Sequence, residues 1–247
     1  MGSVVYVEES RFLAGAKTNE VNLMIQITYP IAMEVAGSTA CWARPDTGDC
    51  PTSYPAPTYS AVKAIFESIH WGPAIEVVPT KVEICMPVLY HSYITNYGGP
   101  LRKKESLIKG NSYQLLATVL VDVLYKLYAE VRLVRRKKDL PERALQWDAK
   151  TTSPGHAYQA IFNRRLKRGQ CYSIPALGWR EFTVSYFGPL RNDTEVLSSL
   201  PDIHIPSMLR SVFSKGYNTP VSFSYDQDIV IHKGCLIYSC REDSCDQ

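Results

Sequence analysis

The chain has 247 residues, of which 45% are hydrophobic, so it can bury one large core with or without a small appendage. Its formal net charge of +3 is unevenly distributed, because residues 102–168 carry a net charge of +10 and the segments 1–101 and 169–247 carry −4 and −3. No glycine-rich phosphate loop, dinucleotide fingerprint, HExxH motif or nucleophile elbow occurs, which leaves kinase and hydrolase functions without a supporting motif.

The first elements are predicted from hydrophobic periodicity. Residues 1–20 are polar and unpatterned, which indicates a flexible extension. Apolar and polar residues alternate over 23–29, as in a half-buried strand. Over 58–71 the apolar residues recur every three or four positions, which predicts an amphipathic helix with the buried face Val62, Ile65, Phe66 and Ile69.

This helix has a predicted start and end. Thr58 is a suitable N-cap, and Gly72-Pro73 cannot continue the helix. His70 and Trp71 are therefore expected at the helix end, with side chains that point toward a neighbouring surface rather than into the core.

The middle of the chain is predicted to hold two strands. The first covers 77–86, and a long alternating strand covers 119–133. Between them, 90–112 is predicted to be a mobile loop or a protruding hairpin, because it contains Gly98-Gly99-Pro100. Residues 140–152 are expected to be a loop. The segment 90–112 is also basic, with Arg102, Lys103 and Lys104.

A second helix is predicted from its end signals. Ser153 can cap it, Pro154 suits its first position, and Gly169 ends it. His156 is expected to be exposed in the first turn. The predicted buried stripe is Tyr158, Ile161, Phe162 and Leu166.

The order of the elements predicts an α+β fold. Strand, helix, strand, hairpin strand, helix and strand match a ferredoxin-like domain, the fold of RNA-recognition modules, over residues 21–190. Residues 191–247 contain short strand-like runs and a hairpin over 229–238 that turns at Lys233-Gly234. They are predicted to form a small C-terminal β-sheet appendage.

Three blocks of the sequence resemble one protein family and occur in the same order as in that family. They are GSTACWARPD (37–46), the first helix region (53–75), and PGHAYQAIFNRRLKRGQCYSIPALGWREF (154–182), which ends in a Gly-x-Arg-Glu-Phe strand. The chain resembles the CRISPR-associated Cas-five family, subtype d (also written c), of the RAMP superfamily. The resemblance implies a crRNA-binding subunit of a type I-C Cascade complex that contacts the backbone and large subunits. Target DNA would be reached only through the complex.

The resemblance also implies a processing site. The family places an aromatic or histidine side chain at the position of His70 and a Lys-His pair at the start of the second helix, where this chain has Gly155-His156. Metal-independent RNA cleavage needs a base for the 2′-hydroxyl and an acid for the leaving 5′-oxygen, and two imidazoles can fill both roles. His70 and His156 are the candidate catalytic residues, and no cofactor is expected. Lys150, Lys167 and Arg180 are the candidates to replace the missing lysine.

The candidate RNA-binding residues are cations. Tyr113, Tyr125, Tyr128 and Trp147 lie among the basic residues of 102–168, and such rings can stack on bases. For Arg44 a solvated loop position is the alternative, and for Arg180 an ion pair with Glu181 is equally compatible. The candidates are Arg44, Arg102, Lys103, Lys104, Arg164, Arg165, Lys167, Arg168 and Arg180.

The number of cysteines favours an intracellular location, and their spacing does not favour a metal site. Seven cysteines without a secretion signal are typical of a reducing cytoplasm, which is the expected location. No membrane association is expected, because the apolar run 115–124 is shorter than the ~20 residues of a spanning helix. No metal is expected, although His232, Cys235, Cys240 and Cys245 form a loosely spaced zinc-like pattern.

Three functions are compatible with the sequence. The first is an endoribonuclease that cuts the CRISPR repeat and holds the 5′ handle of the crRNA. The second is a non-catalytic subunit that caps the 5′ end of the crRNA, since Gly155 replaces the lysine. The third is a generic ferredoxin-like RNA-binding protein outside CRISPR systems, which does not explain three ordered blocks.

Overall fold

The computed structural model describes residues 28–97, 113–134, 140–212 and 221–239. These residues form a mixed α/β fold in which the strands belong to one antiparallel sheet. In chain order the elements are β1 (Tyr29–Ala40), α1 (Tyr59–Ile69), β2 (Ile75–Ile84), β3 (Leu89–Tyr97), β4 (Tyr113–Leu133), α2 (Glu142–Lys150), α3 (Pro154–Lys167), β5 (Tyr186–Gly188), β6 (Ile203–Ser211), β7 (Ser224–His232) and β8 (Cys235–Ile237).

The sheet is organised around the 21-residue strand β4. The strand order is β5-β1-β4-β2-β8-β7-β6, and β3 pairs with the first half of β4. Between Val123 and Val131 alternate residues of β4 are buried, as the sequence pattern predicts. Asp122, which interrupts the apolar run, has a positive φ of 51°. The predicted long strand is confirmed, and it begins six residues earlier than 119–133 suggested.

Helices α1 and α3 cover the buried face of the sheet. Phe66 of α1 meets Phe162 of α3 with ring centroids 5.6 Å apart. Thr58 caps α1 by accepting a hydrogen bond from the backbone N–H of Ala61 at 3.3 Å. Gly169, with φ +63°, follows the end of α3. Both predicted helices are confirmed with their buried stripes, except that Ile161 is only half-buried.

The opposite face of the sheet is crossed by residues 191–197, here called the cross-sheet segment. Glu34 of β1 is fully buried and accepts hydrogen bonds from the Arg191 guanidinium at 2.7 Å and the Thr194 hydroxyl at 3.0 Å. Lys126 of β4 donates to the Thr194 carbonyl at 2.6 Å. Beyond them, the Leu197 N–H donates to the carbonyl of Ile84 at the end of β2. The segment therefore closes the middle of this face.

Two loop and strand assignments are wrong. Residues 140–152, expected to be a loop, contain α2, a short helix in which no residue is fully buried and Ala144 packs against the edge of the core. The expected strand Gly178–Phe182 is a turn, closed by a hydrogen bond from the Leu177 N–H to the Phe182 carbonyl at 2.7 Å. Gly178 has φ +93°, and a Cβ there would lie 1.8 Å from the carbonyl oxygen of Cys41.

Several boundaries also differ. The first four residues of the GSTACWARPD block end β1 instead of following it. Residues 89–97 are a strand, so the described part of 90–112 belongs to a hairpin with β4. Ser153 makes no capping hydrogen bond, and its hydroxyl shares one with the Tyr29 hydroxyl at 3.1 Å. The predicted extension 1–20 and the predicted strand residues 23–27 lie outside the described residues.

The C-terminal strands extend the same sheet. The hairpin that turns at Lys233-Gly234 is confirmed as β7 and β8, and β8 pairs with β2. The division into 21–190 and 191–247 stays a prediction, with β8 as the strand that joins the two parts. Within the described ranges no helix has the length and apolar character needed to cross a membrane.

The anchor of the cross-sheet segment gives a stability prediction. Glu34→Gln should lower the free energy of unfolding by about 1–3 kcal/mol, because a buried carboxylate that accepts charged hydrogen bonds is replaced by an amide with a mismatched donor. Chemical denaturation measures this change. Asp46→Asn, which weakens the exposed Arg44–Asp46 pair, is the matched control and should cost much less. Equal effects of the two substitutions would contradict the anchoring role of Glu34.

Candidate functional site

His70 lies at the C-terminal end of α1, in the contact between α1 and α3. Its backbone N–H donates to the Phe66 carbonyl at 3.2 Å, and its ring is buried, with the residue only 8% exposed. The ring centroid lies 5.7 Å from that of Tyr158 and 6.2 Å from that of Tyr172. The expectation that His70 points toward an open surface is wrong, because Tyr172 covers it. Trp71 is exposed as expected.

His70 belongs to a row of planar side chains, here called the ring stack. Tyr158 contacts Trp147 of α2 at 4.8 Å between centroids, and the Arg165 guanidinium lies 4.0 Å from the centre of the Tyr172 ring. Aromatic contacts of this kind contribute about 0.5–1.5 kcal/mol each beyond their buried area. The ring stack, in order, is Trp147, Tyr158, His70 and Tyr172, with Arg165 on Tyr172.

The surroundings of His70 favour the neutral ring. Burial and, to a smaller extent, the nearby positive charge of Arg165 together lower its pKa to about 4. Neither ring nitrogen has a hydrogen-bond partner among the described residues. At neutral pH the imidazole can accept a proton or donate its one N–H, but it is not a charged acid.

His156 is exposed in the first turn of α3, as predicted. It lies two residues before Tyr158, which places the two side chains about 160° apart around the helix axis. Since Tyr158 faces His70, His156 faces away from it. The structure therefore brings the two predicted catalytic histidines to the same end of α3 but does not turn them toward each other.

Gly155 fills the position where the family resemblance implies a lysine. It is buried, and a Cβ at this position would lie 2.2 Å from Cε2 and 2.5 Å from Cδ2 of Tyr29. The Tyr29 hydroxyl is held by its hydrogen bond with Ser153. A longer residue at 155 therefore requires the Tyr29 ring to move.

The cations at the end of α3 divide into two groups. Arg164, Lys167 and Arg168 are exposed and offer positive charge to solvent. Arg165 turns toward the ring stack, and its Nε is buried without a hydrogen-bond partner among the described residues. The sequence predicted all four as RNA ligands, and the structure separates Arg165 from the other three.

The remaining predicted cations have different surroundings. Arg44 makes two hydrogen bonds to Asp46, at 2.7 and 3.1 Å, so its guanidinium is already paired. Arg180 is exposed on the Gly178–Phe182 turn, and no ion pair joins it to Glu181 in the described part of the chain. Arg102, Lys103 and Lys104 lie outside the described residues.

The aromatic residues noted between the cations do not form one surface. Tyr125 is buried and accepts a hydrogen bond from the Trp42 indole at 3.3 Å. Tyr128 donates to Glu83 at 2.8 Å on the opposite face of the sheet. Of this set, Trp147 lies in the ring stack, and the side chain of Tyr113 is outside the described residues.

The described ranges contain no group of three or more histidine, cysteine, aspartate or glutamate side chains arranged to hold a metal ion. His232, the first residue of the zinc-like pattern, instead has its Nδ1 2.8 Å from Asp202. Cys240 and Cys245 lie outside those ranges.

The ring stack is not predicted by the sequence. The apolar spacing places Tyr158 in the core, the pattern of 140–152 places Trp147 in a loop, and no pattern indicates a role for Tyr172. Tyr172 joins the stack because its N–H donates to the Ser68 carbonyl at 2.7 Å, a contact between residues more than 100 positions apart. The one local signal was Arg165 between buried helix positions, where a solvent-facing cation is not expected.

Comparison with known proteins identifies the family. A family model described as CRISPR-associated protein (Cas_Cas5), of subtype d, matches residues 31–204, which is more than half of the chain. This chain belongs to the Cas5 family, subtype d. All three blocks of the predicted resemblance lie within the matched range, so the assignment made from the residues is confirmed.

Two relatives of this Cas5-family chain have names that state an enzyme activity. The CRISPR pre-crRNA endoribonuclease Cas5d of Mannheimia succiniciproducens is 28% identical over 212 residues, covering 78% of this chain and 89% of that protein. The protein of the same name from Thermus thermophilus is 29% identical over 160 residues, covering 64% of this chain and 63% of that protein. A crystal structure of a CRISPR-associated protein superposes with a TM-score of 0.64 at 19% identity, over 89% of this chain and 96% of that one, which supports the fold.

Burial of His70 makes a pH-dependent contribution to stability. Between pH 6.5 and about 4 the unfolded chain binds a proton at this residue and the folded protein does not, so stability falls as the pH is lowered through this range. His70→Phe should remove this contribution, so the stability difference between the two proteins should change by roughly 2 kcal/mol between pH 7 and pH 4. Urea denaturation at several pH values measures it. Parallel pH profiles would contradict the burial of a neutral ring.

Proposed function

We propose that this protein binds CRISPR RNA, cuts the precursor RNA within the repeat without a metal ion, and holds the 5′ handle in a type I-C Cascade complex. The observation that carries the proposal is membership of the Cas5 family together with two relatives that are both named CRISPR pre-crRNA endoribonuclease Cas5d. Its partners would be the backbone and large subunits, with target DNA reached through the complex. The cytoplasm is the proposed compartment.

We also propose that the domain is a variant of the ferredoxin-like fold. The two helices α1 and α3 lie on one face of an antiparallel sheet, and the strand order β5-β1-β4-β2 is fourth-first-third-second when β3 is counted as an insertion. This order supports the predicted plan of alternating strands and helices.

The cross-sheet segment affects where RNA can bind. RNA-recognition modules of this general plan stack bases on the open face of the sheet. Here that face carries the Glu34–Arg191 and Lys126–Thr194 contacts. We therefore place the RNA on the side of the helices, where Arg164, Lys167 and Arg168 are exposed.

The start of α3 is the proposed position of the scissile phosphate. The free N–H groups of the first helical turn and the helix dipole favour an anion there, and His156 lies in the same turn. His70 would accept the proton of the 2′-hydroxyl, and His156 would donate to the leaving 5′-oxygen. Because the two rings face different sides of α3, the RNA must run across this turn to meet both.

A non-catalytic role is the second candidate, and two features favour it. The Tyr29 ring occupies the space that a side chain at Gly155 would need, so the expected lysine has no place in this arrangement. His70 is also covered by Tyr172 in the protein without RNA. A subunit of this kind would cap the 5′ end of the crRNA without cutting it.

The two candidates are distinguished by cleavage. Purified protein incubated with its cognate repeat RNA in EDTA should produce one cut with a cyclic phosphate and a free 5′-hydroxyl. His156→Ala should lower the rate by roughly 10²–10⁴-fold with little change in RNA affinity, since it removes an acid–base group. A 2′-deoxy substitution at the cut site should abolish cleavage and leave binding intact. A repeat that stays uncut in both EDTA and magnesium would support the non-catalytic subunit.

The proposed RNA surface gives a separate binding prediction. Arg164→Glu/Arg168→Glu should weaken repeat binding and lower the slope of log affinity against log salt by about one to two units, because fewer counterions are released. Lys81→Glu/Lys233→Glu has the same change in net charge, on the opposite face of the sheet and on the turn between β7 and β8, and is the matched control. If both double variants weaken binding equally, the effect comes from total charge and the surface is placed incorrectly.

A further inference from the structure

The ring stack contains buried polar atoms without partners. Both ring nitrogens of His70 and the Nε of Arg165 lack a hydrogen-bond partner among the described residues, and His70 is more than nine-tenths buried. Buried polar groups in folded proteins are almost always paired, so two unpaired groups on adjoining side chains indicate that a ligand completes them. Both groups adjoin the ring of Tyr172.

Tyr172 differs from the other members of the ring stack. Its residue is 62% exposed, and it lies in the segment that joins α3 to the Gly178–Phe182 turn. Its backbone is held by Ser68, while its hydroxyl has no hydrogen-bond partner in the described ranges. The ring can therefore rotate away from His70 without breaking a hydrogen bond of the fold.

We propose that the ring stack is a binding site for one unpaired nucleobase of an RNA, which stacks on His70 in the place that Tyr172 occupies in the free protein. The inference rests on the proposed RNA function and names the part of the RNA that this site takes. Tyr172 is then a substitute for the base, and Tyr158 and Trp147 are the fixed support beneath His70.

The chemistry of the site fits a base better than a phosphate alone. The face of the His70 ring, which Tyr172 covers in the free protein, offers a flat π-surface for the base. The donor and the acceptor of the neutral imidazole lie in the ring plane, where polar groups of an adjoining nucleotide can pair with them. The guanidinium of Arg165 can bind the adjoining phosphate or the edge of the base. Bases stack on protein aromatic rings more strongly than a pair of side-chain rings does, so a base can displace the Tyr172 ring.

Whether the substitution of Tyr172 raises or lowers RNA affinity tests whether a base takes the place of the Tyr172 ring. The probe is an unstructured hexanucleotide, oligo(U) or oligo(A), with 2′-deoxy sugars that prevent cleavage, and binding is measured in EDTA. Tyr172→Ala should bind this probe about tenfold more tightly than the wild type, which equals about 1.4 kcal/mol. The reason is that the base no longer has to displace a ring. Tyr172→Phe keeps the ring and should bind like the wild type. Tyr186→Ala removes another tyrosine beneath a guanidinium, that of Arg191, and should leave the affinity unchanged.

Two results would overturn the proposal. Weaker binding by Tyr172→Ala would make Tyr172 itself the stacking surface, and unchanged binding would place the RNA elsewhere. Tyr172→Leu, which keeps an apolar cover without a ring, provides the same comparison should the alanine variant be unstable.

A second measurement uses the wild-type protein. Uridine and adenosine 5′-monophosphate should shift the ring resonances of His70 in NMR spectra, and ribose 5-phosphate should not. An equal response to ribose 5-phosphate would show a phosphate site only and would overturn the inference. Neither experiment depends on cleavage, so a protein that passes both but leaves its repeat uncut refutes the proposed nuclease and retains this site.

Discussion

Strand β4 sets the position of the other elements. Its 21 residues hydrogen-bond to β1, β2 and β3, and the C-terminal strands reach the sheet through β2. One face of β4 carries the apolar residues on which α1 and α3 pack, and the other carries Lys126, which holds the cross-sheet segment. Because both faces are occupied at the centre of the described sheet, the RNA surface proposed above lies on the outer sides and ends of the helices.

Packing and chemistry have opposing requirements at the end of α1. The contact between α1 and α3 gains stability from stacked rings, and it places His70 where a charged imidazole is unfavourable. A nuclease needs the same ring to meet RNA. The conflict is resolved if the side chain that covers His70 can move away. Tyr172 fits this requirement, because in the described ranges its backbone is hydrogen-bonded and its side chain makes ring contacts only.

The sequence was sufficient for elements whose signals are local. Helix α1 was predicted almost to the residue, because its apolar spacing, its Thr58 cap and its Gly72-Pro73 end agree. Helix α2 was missed because it is short and none of its residues is fully buried. The Gly178 turn was mistaken for a strand because its cause is the backbone of Cys41, far away in the chain. The family was also accessible, since its motifs are contiguous.

Only part of the candidate site could be predicted, again because the sequence carries signals for local structure and not for contacts between distant residues. The positions of His70 and His156 at helix ends follow from local periodicity, and the exposure of His156 is as expected. The burial of His70 depends on Tyr158, Tyr172 and Arg165, which come from a distant part of the sequence. No spacing rule links these residues, so neither the ring stack nor the neutral state of His70 could be predicted.

The contact between Tyr29 and Gly155 makes these two positions epistatic. A side chain at 155 is accommodated only if the Tyr29 ring moves or the residue at 29 becomes smaller, and a small residue at 29 opposite glycine leaves a void beside α3. Each single change therefore passes through a poorly packed intermediate, although the positions are 126 apart in the chain. A long residue at the start of α3 is therefore best accommodated together with a smaller residue in β1, because the two changes compensate each other in volume.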